Sequence, residues 1–455
     1  MTVAPLRINR IEIKGLFRQY HHVIPLNLEE HVTILHGRNG VGKTVTLSLV
    51  AALLQGNYAK LLKVPFELLR VEFTDGSVLE AIPINVEQQP VRRLEKSKGI
   101  LSIATHSSRV ANSWTELIQQ RIKPARLELR FSLAGTTLTS ITVSEDGLIA
   151  HVESENDIAK FKQRMLVHFI EAQRLFKIIK ESTIPNPQSP YDSVSISGIS
   201  NLLGELSSLS AEFESDPASA KVQVTASVKE IQQEIVERIK QTDSKYRAIS
   251  TRLDNSLPAR MFDPKVGKES LALNELSRRV KALEMERDRL REIGLVADAS
   301  SFDVSSLSDT QSAMFAVYLK DNEEKLGVFK DLADRSEILL RIINHKFSPK
   351  HVKLDKDKGY QAFSHDGQSL ELDLLSSGEQ HELVLLHNLL FRVEAGALLL
   401  IDEPELSLHV TWQSEFLKDL IEIAKTVGFD ALVATHSPYI VGDRRDLAVQ
   451  LGQPE

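Results

Sequence analysis

The sequence contains no cysteine. That excludes disulfides, thiolate metal sites and a cysteine nucleophile, and it suits a reducing compartment. Nor does it contain the run of about eighteen apolar residues that a membrane-spanning helix needs. The opening stretch, MTVAPLRINRIEIKG, alternates apolar and charged residues, so it reads as a strand and lacks the apolar centre of a signal peptide. An excess of positive charge is also missing. Lys and Arg number 55 against 62 Asp and Glu, a net charge of −7, so any nucleic-acid contact must come from a local patch. These absences together point to a cytoplasmic protein with no membrane partner.

What is present is a globular composition, 42% hydrophobic and 26% charged over 455 residues. The length suits two or three domains, or one large domain with an insertion. Residues 6–36 hold three strand-like runs, and the third, HVTILH, runs directly into a glycine-rich turn. A helical pattern, KTVTLSLVAALLQ, follows over 43–55. Strand pairs are expected at 66–82 around Asp75-Gly76 and at 126–150 around Asp146-Gly147.

The Ser- and Pro-rich stretch STIPNPQSPYDSVSISGISN marks a change of composition near residue 180. Beyond it Val228, Ile231, Ile235, Ile239, Tyr246, Ile249 and Leu253 recur at helical spacing, with Pro258 and Pro264 bounding the run. Leu276, Val280, Leu283 and Leu290 follow at heptad-like spacing. The basic residues between them (Arg278, Arg279, Lys281, Arg287, Arg289, Arg291) alternate with acids and read mainly as solvated coiled-coil positions. After residue 350 strands return, then a helix from about 379, the apolar strand ALLLID, a helix near 411–426 and the strand ALVATH. The expected organisation is an α/β head made from both chain ends, 1–180 and 346–455, around a loop and helical insertion over 181–345.

Four motifs carry chemistry. Gly37-Arg38-Asn39-Gly40-Val41-Gly42-Lys43-Thr44 is a complete G-x-x-x-x-G-K-[ST] P-loop. Its glycines let backbone N–H groups turn towards phosphate, and the next helix presents its positive end. Lys43 reaches the β- and γ-phosphates of ATP, and the Thr44 hydroxyl ligates Mg²⁺. The run Ala397 to Pro404 is an apolar strand ending in Asp402 and Glu403, where open α/β sheets bind ligands. Asp402 suits the Mg²⁺ hydration shell and Glu403 the attacking water. Leu375-Ser376-Ser377-Gly378-Glu379-Gln380 opens a helix; its plain reading is a capping box, compatible with an anion site. His436, in Ala434-Thr435-His436-Ser437-Pro438, ends another apolar strand and can reach the γ-phosphate or the lytic water; the alternative is a histidine satisfied by nearby backbone.

The order of these motifs resembles the ABC-type ATPase heads of the SMC, Rad50, RecF and OLD-like group. LSSGEQ resembles that group's signature, with Ser377 where a glycine is usual. IDEPELSLH resembles Walker B followed by a D-loop carrying Glu405, Ser407 and His409, and THSP resembles the switch-histidine loop. By this resemblance Gln173, in FIEAQRL, is the Q-loop glutamine beside nucleotide and metal, and Arg18, in GLFRQY, contacts phosphate. It also implies a homo-oligomer of ATP-sandwiched heads, with Ser376, Ser377, Gly378 and Glu379 of one copy facing the phosphate bound to Lys43 of the other.

A narrower resemblance joins SSGEQHELVLLHNLLF, IDEPELSLHVTWQ and ATHSPYIV to compact bacterial defence ATPases of the phage anti-restriction-induced system. It implies a sensor and scaffold that controls a separate toprim-fold nuclease and answers to a phage-encoded trigger protein. With no toprim-like acidic cluster after the switch histidine, a nuclease is expected on another chain. The alternative is a RecF- or SMC-like ATPase acting directly on DNA. A transporter subunit fits poorly, because such subunits keep P-loop and signature close together.

Overall fold

The computed structural model describes residues 6–84, 126–133, 136–144, 149–152, 167–170, 217–261, 273–296, 309–406, 408 and 410–452. The chain divides into two compact units: Met1–Arg174 with Glu394–Glu455, and Leu175–Val393.

The first unit is mixed α/β. Its antiparallel sheet has the order β2-β1-β4-β5-β6-β7-β8: β1 Ile8–Leu16, β2 Tyr20–Pro25, β4 Leu68–Phe73, β5 Ser77–Ile84, β6 Arg126–Leu133, β7 Thr136–Ser144 and β8 Ile149–Val152. The expected turn at Asp75-Gly76 joins β4 to β5, whereas Asp146-Gly147 lies outside the described residues. The second sheet is parallel, order β15-β3-β14-β13-β9: β3 Val32–His36, β9 Val167–Ile170, β13 Leu398–Asp402, β14 Asp430–Ala434 and β15 Ala448–Gln450. β13 and β14 are buried along their whole length, as strands covered on both faces must be. Helix α1, Lys43–Gln55, packs on β9, β13 and β14.

One continuous core runs from Ile11, Ile13 and Leu69 of the antiparallel sheet through Leu47 and Val50 of α1 to Leu400 and Leu432 of the parallel sheet. Both chain ends therefore share one hydrophobic interior. A polar clasp reinforces this: Arg7 donates from Nε and Nη2 to the two carboxylate oxygens of Asp430, at 2.7 and 2.5 Å. Such two-point pairs are the strongest geometry open to an Arg and a carboxylate.

The second unit holds the long helices α2 (Pro217–Met261), α3 (Leu273–Ile293), α4 (Asp309–Gly327) and α5 (Lys330–Lys346). It also holds the small sheet β10 (His351–Asp355), β11 (Gly359–Phe363) and β12 (Ser369–Leu370), and helix α6 (Ser377–His387), which a π-turn continues over Asn388–Arg392. Residues 346–393, grouped on sequence with the C-terminal lobe, thus pack among helices.

The helical spacings place Val228, Ile231, Ile235 and Ile239 of α2 and Leu276, Val280, Leu283 and Leu290 of α3 inside. Pro258 does not end its helix, as expected from sequence, but lies within it. A proline this close to the C-terminus removes one ladder bond, and the loss is small because few turns follow. There Arg260 donates to the Leu253 carbonyl at 2.8 Å and clasps Asp321 of α4. Three of the α3 arginines also depart from the solvated reading, whereas Arg278 and Arg291 stay exposed and pair with acids of their own helix. Arg279 crosses to Glu323, Arg287 to Asn322, and Arg289 to Asp334 and Glu337. These three are spent on helix pairing, which leaves fewer free cations for phosphate.

Past its exposed first turn α6 is buried on all sides, since Val384 and Leu385 join Leu383 and Leu386 in the interior, and Leu389 and Leu390 of the π-turn follow them. At its end the fully buried His387 accepts at Nδ1 from the Tyr360 hydroxyl, 2.9 Å away. That choice of tautomer turns Nε2–H towards Glu234 of α2, which Arg392 also grips at 2.8 Å. Burial holds His387 below the ordinary histidine range, overriding the pull of Glu234. Burial also lowers His381 and His22. Burial alone would raise Glu234, but the nearby His387 ring and the hydrogen bond from Arg392 outweigh it and hold the carboxyl far down.

All four groups bind fewer protons folded than unfolded, so their stabilisation is complete above the unfolded pKa and is lost as pH falls. For the histidines that loss begins near pH ~6.5. The melting temperature is therefore expected to be level above neutrality and to decline from about pH 6.5 towards pH 5, less steeply in a His387→Gln variant. A melting temperature constant down to pH 5 would contradict this.

Candidate nucleotide site

Three loops leave the same end of the parallel sheet from adjacent strands. Register sets them level: Leu35 of β3 lies opposite Ala434 of β14, and Ala434 opposite Asp402 of β13. The P-loop follows β3, Glu403 follows β13 and Thr435-His436 follows β14, so residues nearly 400 positions apart become neighbours. They line a cleft of about 560 Å³ with Phe17, Lys43, Thr44, Glu403, Glu405, Leu406 and His436 on its walls.

Gly40 and Gly42 both sit at positive φ, 86° and 89°, the region that glycine occupies without strain. A Cβ on Gly42 would also come within 2.8 Å of Leu16 Cδ2. Arg38, Asn39 and Gly40 are exposed while Val41 is buried, so one side chain anchors the loop in the core. Behind it the buried His22 donates from Nε2 to the Val41 carbonyl at 2.9 Å. Lys43 is buried, its Nζ donating to the carbonyl of Gly37 at 2.8 Å. Burial draws its ammonium below the usual lysine range, against the raising pull of Glu403, Asp402 and Glu405.

His436 Nδ1 lies 3.3 Å from Lys43 Nζ. A ring nitrogen that accepts from an ammonium leaves its proton on Nε2, which stands 3.9 Å from Glu403 Oε1. Glu403 has φ 47°, a strained value for a side-chain-bearing residue, and its N–H still donates to the Ala434 carbonyl at 2.8 Å. Thr44 Oγ1 donates to Asp402 Oδ1 at 3.2 Å. A hydroxyl and a carboxylate side by side, both hard oxygen donors, fit a magnesium ion that keeps waters and phosphate oxygens as its other ligands. Among the described residues no group of three or more His, Cys, Asp or Glu is placed to hold a metal ion by itself.

The sequence-derived residues from Gly37 to Thr44, Asp402, Glu403 and His436 are thus brought together in one unit. Arg18, singled out on sequence, is exposed, and the neighbouring Phe17 lines the cleft. Gln173, Ser407 and His409 lie outside the described residues. In the second unit Ser376 caps α6: its Oγ accepts from the Glu379 N–H at 3.3 Å and its own N–H donates to Glu379 at 2.7 Å. Lys350 binds both Glu379 oxygens, while Gln380 turns inward to the carbonyls of Asp373 and Leu375. Ser377 and Gly378 form the exposed first turn. The contributions of Phe17 and His22 escaped sequence reading, for neither belongs to a phosphate-binding pattern.

A glycine loop between strand and helix, a buried lysine and paired acids at a parallel-sheet edge define a P-loop nucleotide-binding protein. The chain belongs to the AAA ATPase domain family, whose model matches residues 6–441. No curated protein matches it. Among solved structures it is similar to the Smc head domain with an extended coiled coil bound to the C-terminal domain of ScpA, from Pyrococcus furiosus. That likeness has 14% identity over 96% of this chain and 91% of the other, at a TM-score of 0.35. It is also similar to the Smc head domain with a coiled coil and joint from Pyrococcus yayanosii, 13% identical over 96% and 93%, at a TM-score of 0.31. No helix among the described residues is long and apolar enough to cross a membrane.

Proposed function

We propose that the protein is an ABC-type, magnesium-dependent ATPase that serves in the bacterial cytoplasm as sensor and scaffold of an anti-phage system, controlling a separate toprim-fold nuclease. The observation that carries the ATPase reading is the convergence of Lys43, Thr44, Glu403 and His436 on one cleft, with Asp402 bonded to Thr44 beside it. The defence reading is supported by the resemblance of the motifs around Ser376, Asp402 and His436 to defence ATPases.

In this reading Lys43 and the P-loop amides bind and orient the triphosphate. Thr44 and Asp402 would hold Mg²⁺, which supplies charge neutralisation between the β- and γ-phosphates. Glu403 aligns the attacking water and takes up its proton, and His436 contacts the transferring group through Nε2–H. Phe17 offers an aromatic face beside the loop. Gln173 would complete the nucleotide and metal contacts, and Arg18 a phosphate contact. Ser376, Ser377, Gly378 and Glu379 of a second copy would close over the γ-phosphate, giving a homo-oligomer of sandwiched heads.

The test is the mass of the purified protein, alone and co-expressed with its neighbouring gene product, with and without ATP and Mg²⁺. The expected result is a stable higher-order complex containing a nuclease. A lone monomer that dimerises only with ATP and then binds duplex DNA, with a steep dependence on salt, would replace this reading by a DNA-clamping ATPase.

A further inference from the structure

The strand-end loops that carry Glu403 and His436 are cross-braced by two side chains that no phosphate-binding pattern requires. The Glu405 carboxylate accepts three hydrogen bonds from the β14 loop. Thr435 Oγ1 donates at 2.8 Å, the His436 N–H at 2.7 Å and the Ser437 N–H at 3.1 Å. Behind it the buried Gln413, in helix α7 (Val410–Val427), donates from Nε2 to the carbonyls of Glu405 and Leu408 at 3.2 and 3.3 Å. Its Oε1 accepts from Ser437 Oγ at 2.9 Å. Thr435 and Ser437 are themselves buried, and the Gln413 bonds to Leu408 and Ser437 are buried too, so this backing lies where water competes least. A carboxylate with three donors is also a strong, directional grip.

That grip closes on the backbone of the residue whose ring bridges Lys43 and Glu403. The His436 ring meets Lys43 Nζ at 3.3 Å and faces Glu403 Oε1 at 3.9 Å. A rotation of the 435–437 turn would swing the ring out of that gap. We propose that Glu405, braced by Gln413, is a positioning residue that holds His436 between Lys43 and Glu403 and couples the β13 loop to the β14 loop. This rests on the assignment of His436 to the reaction made above. Glu405 touches no reacting atom in this role; it acts through His436.

The experiment compares Glu405→Ala, Glu405→Gln, His436→Ala and the Glu405→Ala/His436→Ala double variant in the full chain, by steady-state ATP hydrolysis, ATP affinity and amide exchange. Glu405→Ala is expected to lower kcat roughly 10- to 100-fold, the scale of a misplaced catalytic group, with KM for ATP within about three-fold of wild type. Glu405→Gln keeps one acceptor oxygen and should fall between the two. The double variant should be no slower than His436→Ala alone, because both changes remove the same thing. The amides of His436 and Ser437 should exchange about ten-fold faster in Glu405→Ala, while exchange elsewhere is unchanged. If Glu405→Ala proves unfolded, Thr435→Val removes one donor and should move every readout in the same direction.

A wild-type kcat in Glu405→Ala beside a slow His436→Ala would overturn the proposal alone. So would losses that add in the double variant, or a parallel fall of kcat, ATP affinity and melting temperature. A His436→Ala protein with wild-type turnover would overturn the role of His436 and the proposal with it.

Discussion

Glu403→Gln is expected to bind ATP as tightly as wild type and to hydrolyse it about 10²–10⁴-fold more slowly, the span typical of a lost general base. The substitution keeps the shape and one acceptor oxygen but cannot take up a proton. Lys43, Thr44 and Asp402, which hold the phosphates and metal in the proposed reading, are untouched. Binding and chemistry should therefore separate cleanly, and the slow variant should accumulate assembled heads. The backbone argues that the position is specialised. Glu403 adopts φ 47°, a conformation costing on the order of 1–3 kcal/mol for a residue with a side chain, and it is held by a bond to Ala434. Single-turnover hydrolysis and equilibrium binding of ATP check the prediction, and turnover at the wild-type rate would move the base elsewhere.

Lys346→Met is expected to destabilise the second unit by about 3–5 kcal/mol, the usual result of breaking one side of a buried ion pair. Lys346 of α5 donates to Glu382 of α6, and both side chains are only 3% exposed. Met preserves most of the volume, so the loss comes from the carboxylate left without its ammonium in a place that water hardly reaches. The paired change Lys346→Met with Glu382→Leu should recover most of the stability, because it removes both desolvation costs. Glu382 lies one turn past Glu379, which Lys350 holds in the capping box, so the two lysines together pin the start of α6. Thermal or urea unfolding of the single and double variants measures both effects, and a neutral Lys346→Met would mean that Glu382 finds other donors.

The chemistry-bearing segments were legible where the physics is local. A strand, a glycine turn and a helix in immediate succession contain everything a phosphate cradle needs, so Gly37 to Thr44 could be read directly. The apolar run before Asp402 likewise announced a doubly covered strand. The capping box at Ser376 and Glu379 is also local, spanning one helical turn. Heptad-like spacing located the buried leucines of α3, because an amphipathic helix writes its packing into its period.

Other features depend on which distant segments meet. Residue spacing along α3 could not show that Arg279 and Arg289 cross to α4 and α5, since their partners lie 44 to 48 positions away. The same holds for Arg7 and Asp430. Phe17 belongs to no phosphate-binding pattern, yet the fold brings it to the cleft wall. Glu405 was visible as part of a motif, but its three donors belong to another strand's loop.

By itself, then, the sequence determined the phosphate cradle, the acidic strand end and the α/β class, because each rests on contacts within a few residues. The tertiary structure alone decided that β3, β14 and β13 lie side by side in one parallel sheet. That order sends their loops to a common edge, which makes Lys43, Glu403 and His436 neighbours and lets Glu405 reach the turn behind His436. Strand order is set by the burial of whole apolar faces across the chain, and no local pattern of residues encodes it.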